Sequence, residues 1–155
     1  MIRLISKSDF EDIRALTDQV HTIHVKNRPD IYKEGNHFGE ELFEKILNDS
    51  SVIATVYDDG KVKGFCYMTI QNIENQASMV DRKKGFIETI VVDEEFRNQG
   101  IGKELFLDIK SRAIKTGIKC IELMIWSFNS FALSFYKSLG MTPRSEILEI
   151  KLIDE

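Results

Sequence analysis

The stretch from Phe86 to Trp126 constrains the fold more than any other part of the chain. Phe86 to Val92 is dense in β-branched residues and reads as a strand. Arg97-Asn98-Gln99-Gly100-Ile101-Gly102 follows directly. Ile101, Leu105, Ile109 and Ala113 then recur at steps of four, with Phe106 widening the apolar stripe of a helix that ends at Gly117. Lys119 to Trp126 is a further strand. Strand, crossover helix and strand make a βαβ unit, so those two strands are expected to be parallel.

The remaining segments fit around that unit. Residues 2–5 read as a short strand. Ser8 with Glu11 is a capping box that opens a helix whose apolar face is Phe10, Ile13, Leu16, Val20 and Ile23. Asn27-Arg28-Pro29-Asp30 ends it, because the residue before proline is pushed out of the helical region. A second helix is predicted over 39–48, with Leu42, Phe43, Ile46 and Leu47 on one side. Val52 to Tyr57 and Val62 to Ile70 form an antiparallel hairpin around Asp58-Asp59-Gly60-Lys61. Residues 72–84 are polar and read as a loop. Asn129 caps a short helix carrying Ala132, Phe135 and Tyr136, which stops near Gly140. Leu148, Ile150 and Leu152 alternate with Glu149 and Lys151, which is a strand period. The expectation is an α/β fold of α+β type: a mixed, mostly antiparallel sheet with one parallel βαβ unit, in a single domain over 1–155.

Composition narrows the classes. At 155 residues and 43% hydrophobic, a core forms without disulfides or structural metal. Cys66 and Cys120 lie within apolar runs and are expected to be buried free thiols of a reducing compartment, neither one a nucleophile. The chain has 21 Lys plus Arg against 25 Asp plus Glu, a net charge of −4, which disfavours binding to nucleic acid through phosphate neutralisation. No apolar run approaches membrane-spanning length, and Met1 to Leu4 lead straight into a polar helix start. Neither a membrane nor a signal peptide is expected, and the location read from this is cytoplasmic. His21, His24 and His37 lack the frame of a metal site. His21 and His24 lie three apart on one helix face; a solvated edge is the expected role there, with His24, Tyr32 and His37 as alternative substrate contacts.

The glycine loop sits at a strand-to-helix junction, where backbone approaches a ligand closely and unpaired N–H groups meet an anion. A Walker A loop needs glycine in place of Arg97 and Ser or Thr in place of Glu104. A dinucleotide fingerprint needs a small residue in place of Leu105. Arg97-x-x-Gly100-x-Gly102, preceded by Ile90-Val91-Val92, instead resembles the acetyl-CoA loop of the GNAT superfamily of N-acetyltransferases. Asn129-x-x-Ala132-x-x-Phe135-Tyr136-x-x-x-Gly140-Met141 is similar to that family's second cofactor motif. The resemblance is strongest over 85–152.

It implies direct transfer of an acetyl group from acetyl-CoA to a primary amine of a small molecule or peptide, without metal. The backbone of Asn98, Gln99, Gly100, Ile101, Gly102 and Lys103 would donate to the pyrophosphate, with Arg97 and Lys103 adding positive charge. A strand edge near Val91 and Val92 would pair with the pantetheine arm. A backbone N–H near Ile90 or Val91 would hold the oxyanion. Tyr136 matches the family's general acid, and Asn129 is both a helix cap and, by resemblance, a cofactor contact. Glu88, placed by alternation on the same face as Ile90 and Val92, is the candidate base, with an ion pair to a nearby cation as its alternative. A non-catalytic acyl-CoA sensor is the rival function, and the resemblance leaves a homodimer open.

Overall fold

A computed structural model describes residues 1–153, in two compact units over 1–124 and 125–153. The first unit is a five-stranded sheet in the order β1-β2-β3-β4-β5, made of Ile2–Leu4, Val52–Asp58, Val62–Ile73, Arg82–Val92 and Cys120–Leu123. The first three pairings are antiparallel, and β4 with β5 is parallel. The mixed sheet with its one βαβ unit is therefore as expected.

Helices cover both faces. α1 (Phe10–Asn27) and α2 (Glu40–Asn48) bring Ile13, Leu16, Phe43 and Ile46 onto Ala54, Val56, Phe65 and Val91. Phe38, from the connection between them, completes this core at 2% exposure. α3 (Ile101–Lys115) covers the opposite face, and its stripe of Ile101, Leu105, Phe106, Ile109 and Ala113 is wholly buried. Gly64 on β3 sets how closely α3 approaches. A Cβ there would lie 2.8 Å from Leu105 Cδ1, 3.2 Å from Ile101 Cγ2 and 3.2 Å from the Val91 carbonyl oxygen. Real Cβ contacts essentially never fall below 3.0 Å, so a side chain at 64 would force the buried Leu105 side chain to shift.

Several boundaries differ from the sequence reading. The reciprocal cap is Ser6 with Asp9, whose Oδ2 accepts from the Ser6 amide at 2.7 Å, and a short 3-10 turn over Lys7–Asp9 precedes α1. Asp9 is favoured because it also accepts a bidentate pair from Arg3 at 2.8 Å, which Glu11 has no partner to match. The loop read over 72–84 shrinks to 74–81, because Gln71, Asn72 and Ile73 pair with Lys84, Lys83 and Arg82. Cross-strand hydrogen bonding extends the hairpin through residues whose side chains face solvent. Cys66 is buried as expected, but Cys120 is exposed, because β5 is the edge of the sheet.

The second unit contains α4 (Ser130–Ser138), capped by Asn129 Oδ1 accepting from the Ala132 amide at 3.1 Å. Residues 141–151 lie in no helix or strand, so the strand read from the alternation of 148–152 has no ladder among the described residues.

Candidate functional site

β4 carries the geometry that matters. Tyr67 faces Thr89 across the ladder, but Met68 faces Ile87, so Glu88 is an extra residue on β4: a β-bulge. A bulge bends its strand and increases twist, and the consequence appears on the other side. β4 pairs with β5 from Lys84 opposite Cys120 to Ile87 opposite Leu123, and there the ladder stops. β4 runs on to Val92 against β3. Glu88 to Val92, including Ile90 and Val91, thus keeps strand conformation with no strand on its β5 side within this unit. An extended amide chain can add to such an edge.

The bulge also corrects the face assigned to Glu88. Ile90 lies opposite Cys66 on the α3 side, whereas Glu88 Oε1 accepts from Thr69 Oγ1 at 3.0 Å, on the side of α1 and α2. Simple alternation would have joined Glu88 to Ile90; the inserted residue resets the phase. The partner of this exposed carboxylate is a hydroxyl rather than a neighbouring cation. Tyr67 lies on the same face, and its phenol pKa is raised by burial and then by the charge of Glu88. Tyr67 and Thr69 were not read from the sequence, although β3 alternation places both with Phe65.

From Val92 the chain enters the glycine loop. Asp93 caps a 3-10 turn over Glu94–Phe96 by accepting from the Glu95 amide at 3.1 Å. Arg97 folds back, its Nε donating to the Val92 carbonyl at 3.2 Å. Asn98 has φ +61° and Gly100 φ +86°, two left-handed residues separated by Gln99. Alternating handedness of this kind turns successive N–H groups toward a common point, an anion-binding concavity. A Cβ on Gly100 would meet nothing within 4 Å, so its mouth is open. α3 begins at once with Ile101, Gly102 and Lys103, and the first amides of any helix lack intrahelical acceptors. Ile101 is 5% exposed and anchors the turn, while Lys103 is exposed. The chemistry of this surface is that of a diphosphate cradle beside a peptide-like groove.

Further residues, unread in the sequence, fasten the loop. Gln19 of α1 accepts from the Glu94 amide at 3.0 Å through Oε1 and donates from Nε2 to Asp93 at 3.4 Å. Lys61 and Lys63 stand over the Phe96 ring at 5.3 and 4.4 Å. The helix carrying the histidines is thereby tied to the turn leading into the cradle.

The histidines are not a solvated edge. His24 stacks on Tyr32 at 4.9 Å and His21 lies 5.2 Å from His37, with His21 Nε2 2.7 Å from the Lys33 carbonyl. The connection after α1 folds back over the helix, where Asn36 Nδ2 donates to the Arg14 carbonyl at 3.0 Å. Burial lowers the His24 pKa below 6.5, and the charges of His21 and His37 add to this. Among the described residues no group of three or more His, Cys, Asp or Glu could hold a metal.

In the second unit, Tyr136 on α4 is 8% exposed, and its ring meets Phe135 edge-on at 5.1 Å. Asn129 performs its capping role. No helix among the described residues is long and apolar enough to cross a membrane.

Comparison with known proteins adds the following. The profile of the acetyltransferase (GNAT) family matches residues 17–141. An uncharacterized N-acetyltransferase of Lactobacillus delbrueckii subsp. lactis is 31% identical over 107 residues, 69% of this chain and 61% of that protein. The chain therefore spans less than two thirds of that relative's length. Thialysine N-epsilon-acetyltransferase of Bos taurus is 26% identical over 146 residues, 94% of this chain and 79% of that one. The crystal structure of a mutant protein from Bacillus halodurans is 29% identical, covers 99% of both chains and superposes with a TM-score of 0.95.

Proposed function

Because this chain belongs to the acetyltransferase (GNAT) family, we propose that it moves an acetyl group from acetyl-CoA directly to a primary amine of a small molecule or peptide. The observation that carries the reading is the end of the β4–β5 ladder at Ile87 and Leu123, directly upstream of the left-handed turn at Asn98 and Gly100. One edge and one cradle in sequence fit an amide arm that ends in a diphosphate.

Acetyl-CoA supplies an activated acyl group as its thioester. Amides from Asn98 to Lys103 hold the diphosphate, with Arg97 and Lys103 contributing charge. The open edge at Val91 and Val92 aligns the arm. An amide at Ile90 or Val91 donates to the carbonyl oxygen as it gains negative charge. Glu88, directly or through one water, takes a proton from the acceptor ammonium, and the freed lone pair forms the new C–N bond. As the C–S bond breaks, Tyr136 gives a proton to the sulfur, and the second proton of the acylated nitrogen leaves through water, which restores the Tyr136 hydroxyl. Glu88 is supported as base by its place on the face covered by α1 and α2, and Tyr136 as acid by its match to the family motif. Asn129 sets the start of the helix that carries Tyr136. The acidic chain and the Thr69–Glu88 pair on the face of α1 and α2 suit a cationic acceptor.

The test is release of free thiol from acetyl-CoA across a panel of amines, with a no-acceptor control. Acceptor-dependent release is the expected result. Tight CoA binding with no release for any amine would reject the enzyme in favour of an acyl-CoA sensor.

A further inference from the structure

The proposed base is held by very little. Glu88 is the extra residue of the β4 bulge, so no residue of β3 stands directly opposite it. Its side chain is exposed, and a flexible arm of that length would carry the carboxylate through many positions. One hydrogen bond limits it among the described residues: Thr69 Oγ1 donates to Oε1 at 3.0 Å, while Oε2 has no hydrogen-bond partner. The cations of β4 on this face are engaged elsewhere, since Lys84 and Arg82 both meet Glu122, at 2.6 and 3.7 Å.

Thr69 is suited to hold that oxygen. It is half-buried within β3, shares one face with Tyr67 and Gln71, and stands opposite Phe86 on β4. Branching at Cβ stiffens its χ1, so the hydroxyl keeps its direction. That hydroxyl has a single proton to give. It lies 3.0 Å from a carboxylate oxygen and 3.5 Å from the Phe86 carbonyl oxygen, and the shorter contact, to the charged acceptor, takes the proton. Gln71 Nε2 donates to Thr69 Oγ1 at 3.5 Å. An oxygen that accepts one hydrogen bond donates a stronger one. Gln71, Thr69 and Glu88 thus form a short row whose polarity runs toward the carboxylate.

We infer that Thr69 is a positioning residue for acetyl transfer: its hydroxyl fixes Oε1 of Glu88 and so presents Oε2 to the ammonium of the acceptor. The inference rests on the reading of Glu88 as base. A hydroxyl serves this task where a lysine or arginine would not. A cation at 69 would compete with the incoming ammonium for the same carboxylate. A neutral donor orients the carboxylate and leaves its charge for the acceptor.

Steady-state thiol release with the most active amine of the panel gives the first test. Thr69→Val removes the donor and keeps the shape; Thr69→Ala takes its place should that variant not fold. Thr69→Val is expected to lower kcat about tenfold with acetyl-CoA affinity by calorimetry within about twofold, and Thr69→Ser to recover most of the loss. In a Glu88→Gln background the same change should move kcat by less than about twofold, because its effect passes through the carboxylate. Full kcat in Thr69→Val, no recovery in Thr69→Ser, or an undiminished loss in the Glu88→Gln background each overturns the inference. The second test needs no turnover. Crystal structures of the parent and of Thr69→Val at matched resolution are expected to show one Glu88 rotamer in the parent and several in the variant. A single, unmoved rotamer in both overturns the inference. No release from the parent with any amine would instead reject acetyl transfer, and the pair of crystal structures would still decide whether Thr69 holds Glu88.

Discussion

Thr55 is fully buried on the α3 side of β2, opposite Cys66, and its Oγ1 has no hydrogen-bond partner. A buried hydroxyl without a partner costs its desolvation and gains nothing. Thr55→Val keeps the shape and removes the polar atom, so it is expected to stabilise the protein by about 1 kcal/mol, read as a higher urea midpoint with unchanged slope. Tyr136 presents a different case, a buried tyrosine whose hydroxyl is proposed to have a chemical task. Tyr136→Phe is expected to lower kcat roughly 100-fold while acetyl-CoA affinity stays within about twofold, measured by steady-state kinetics beside calorimetry. Equal loss of turnover and binding would remove the acid role. Glu88 is the residue at which reading one side chain at a time fails, since its face depends on a bulge that only the pairing with β3 creates.

At the scale of elements, the cofactor loop and the histidine helix make separate predictions. Gly102→Asp sets a carboxylate in the first turn of α3, against the anion it is proposed to hold. Acetyl-CoA binding is expected to weaken at least about tenfold by calorimetry, with the circular dichroism of the parent retained. His24 takes up its proton less readily folded than unfolded, so the native state loses stability as pH falls from about 6.5 toward the lower folded value. His24→Gln is expected to flatten that slope in urea titrations across mildly acidic pH. The stripe of α3 was legible because a period of 3.6 survives any environment that buries one face. The first four residues of β4 were not, because Arg82, Lys83 and Lys84 carry no apolar alternation and owe their strand to the partners across the hairpin. The cap of α1 slipped for a similar reason: Ser8 and Glu11 satisfy the local rule, but Arg3 from a distant strand favours Asp9. The glycine turn and the Asn129 cap were legible because their signals are local. The open edge of β4 arises between three strands and is written in none of them.

Over the whole first unit, Arg3 joins the sheet edge to the start of α1 and to the end of β2 by binding both Asp9 and Asp58 at 2.8 Å. Burial works against the Asp9 charge, but the Arg3 guanidinium and the Ser6 amide outweigh it and hold the carboxyl below its ordinary 3.8. A depressed folded pKa gives stability that is complete above the unfolded value and lost as pH falls through the folded one. Asp9→Asn is expected to cost about 2 kcal/mol at neutral pH, and its difference from the parent should shrink below about pH 4 in denaturant titrations.

Gly64 bears on what such a molecule could become. It lies on β3, beneath the first turn of α3, and a methyl group there would reach Leu105 first, then Ile101 and the Val91 carbonyl oxygen at equal distance. Substitutions at 64 would therefore press on the side chains that seat the start of α3, beneath the amides of the cradle, without altering any residue proposed to touch a ligand. A laboratory selection for altered cofactor preference would find in this glycine a height adjustment, reached through the back of the sheet.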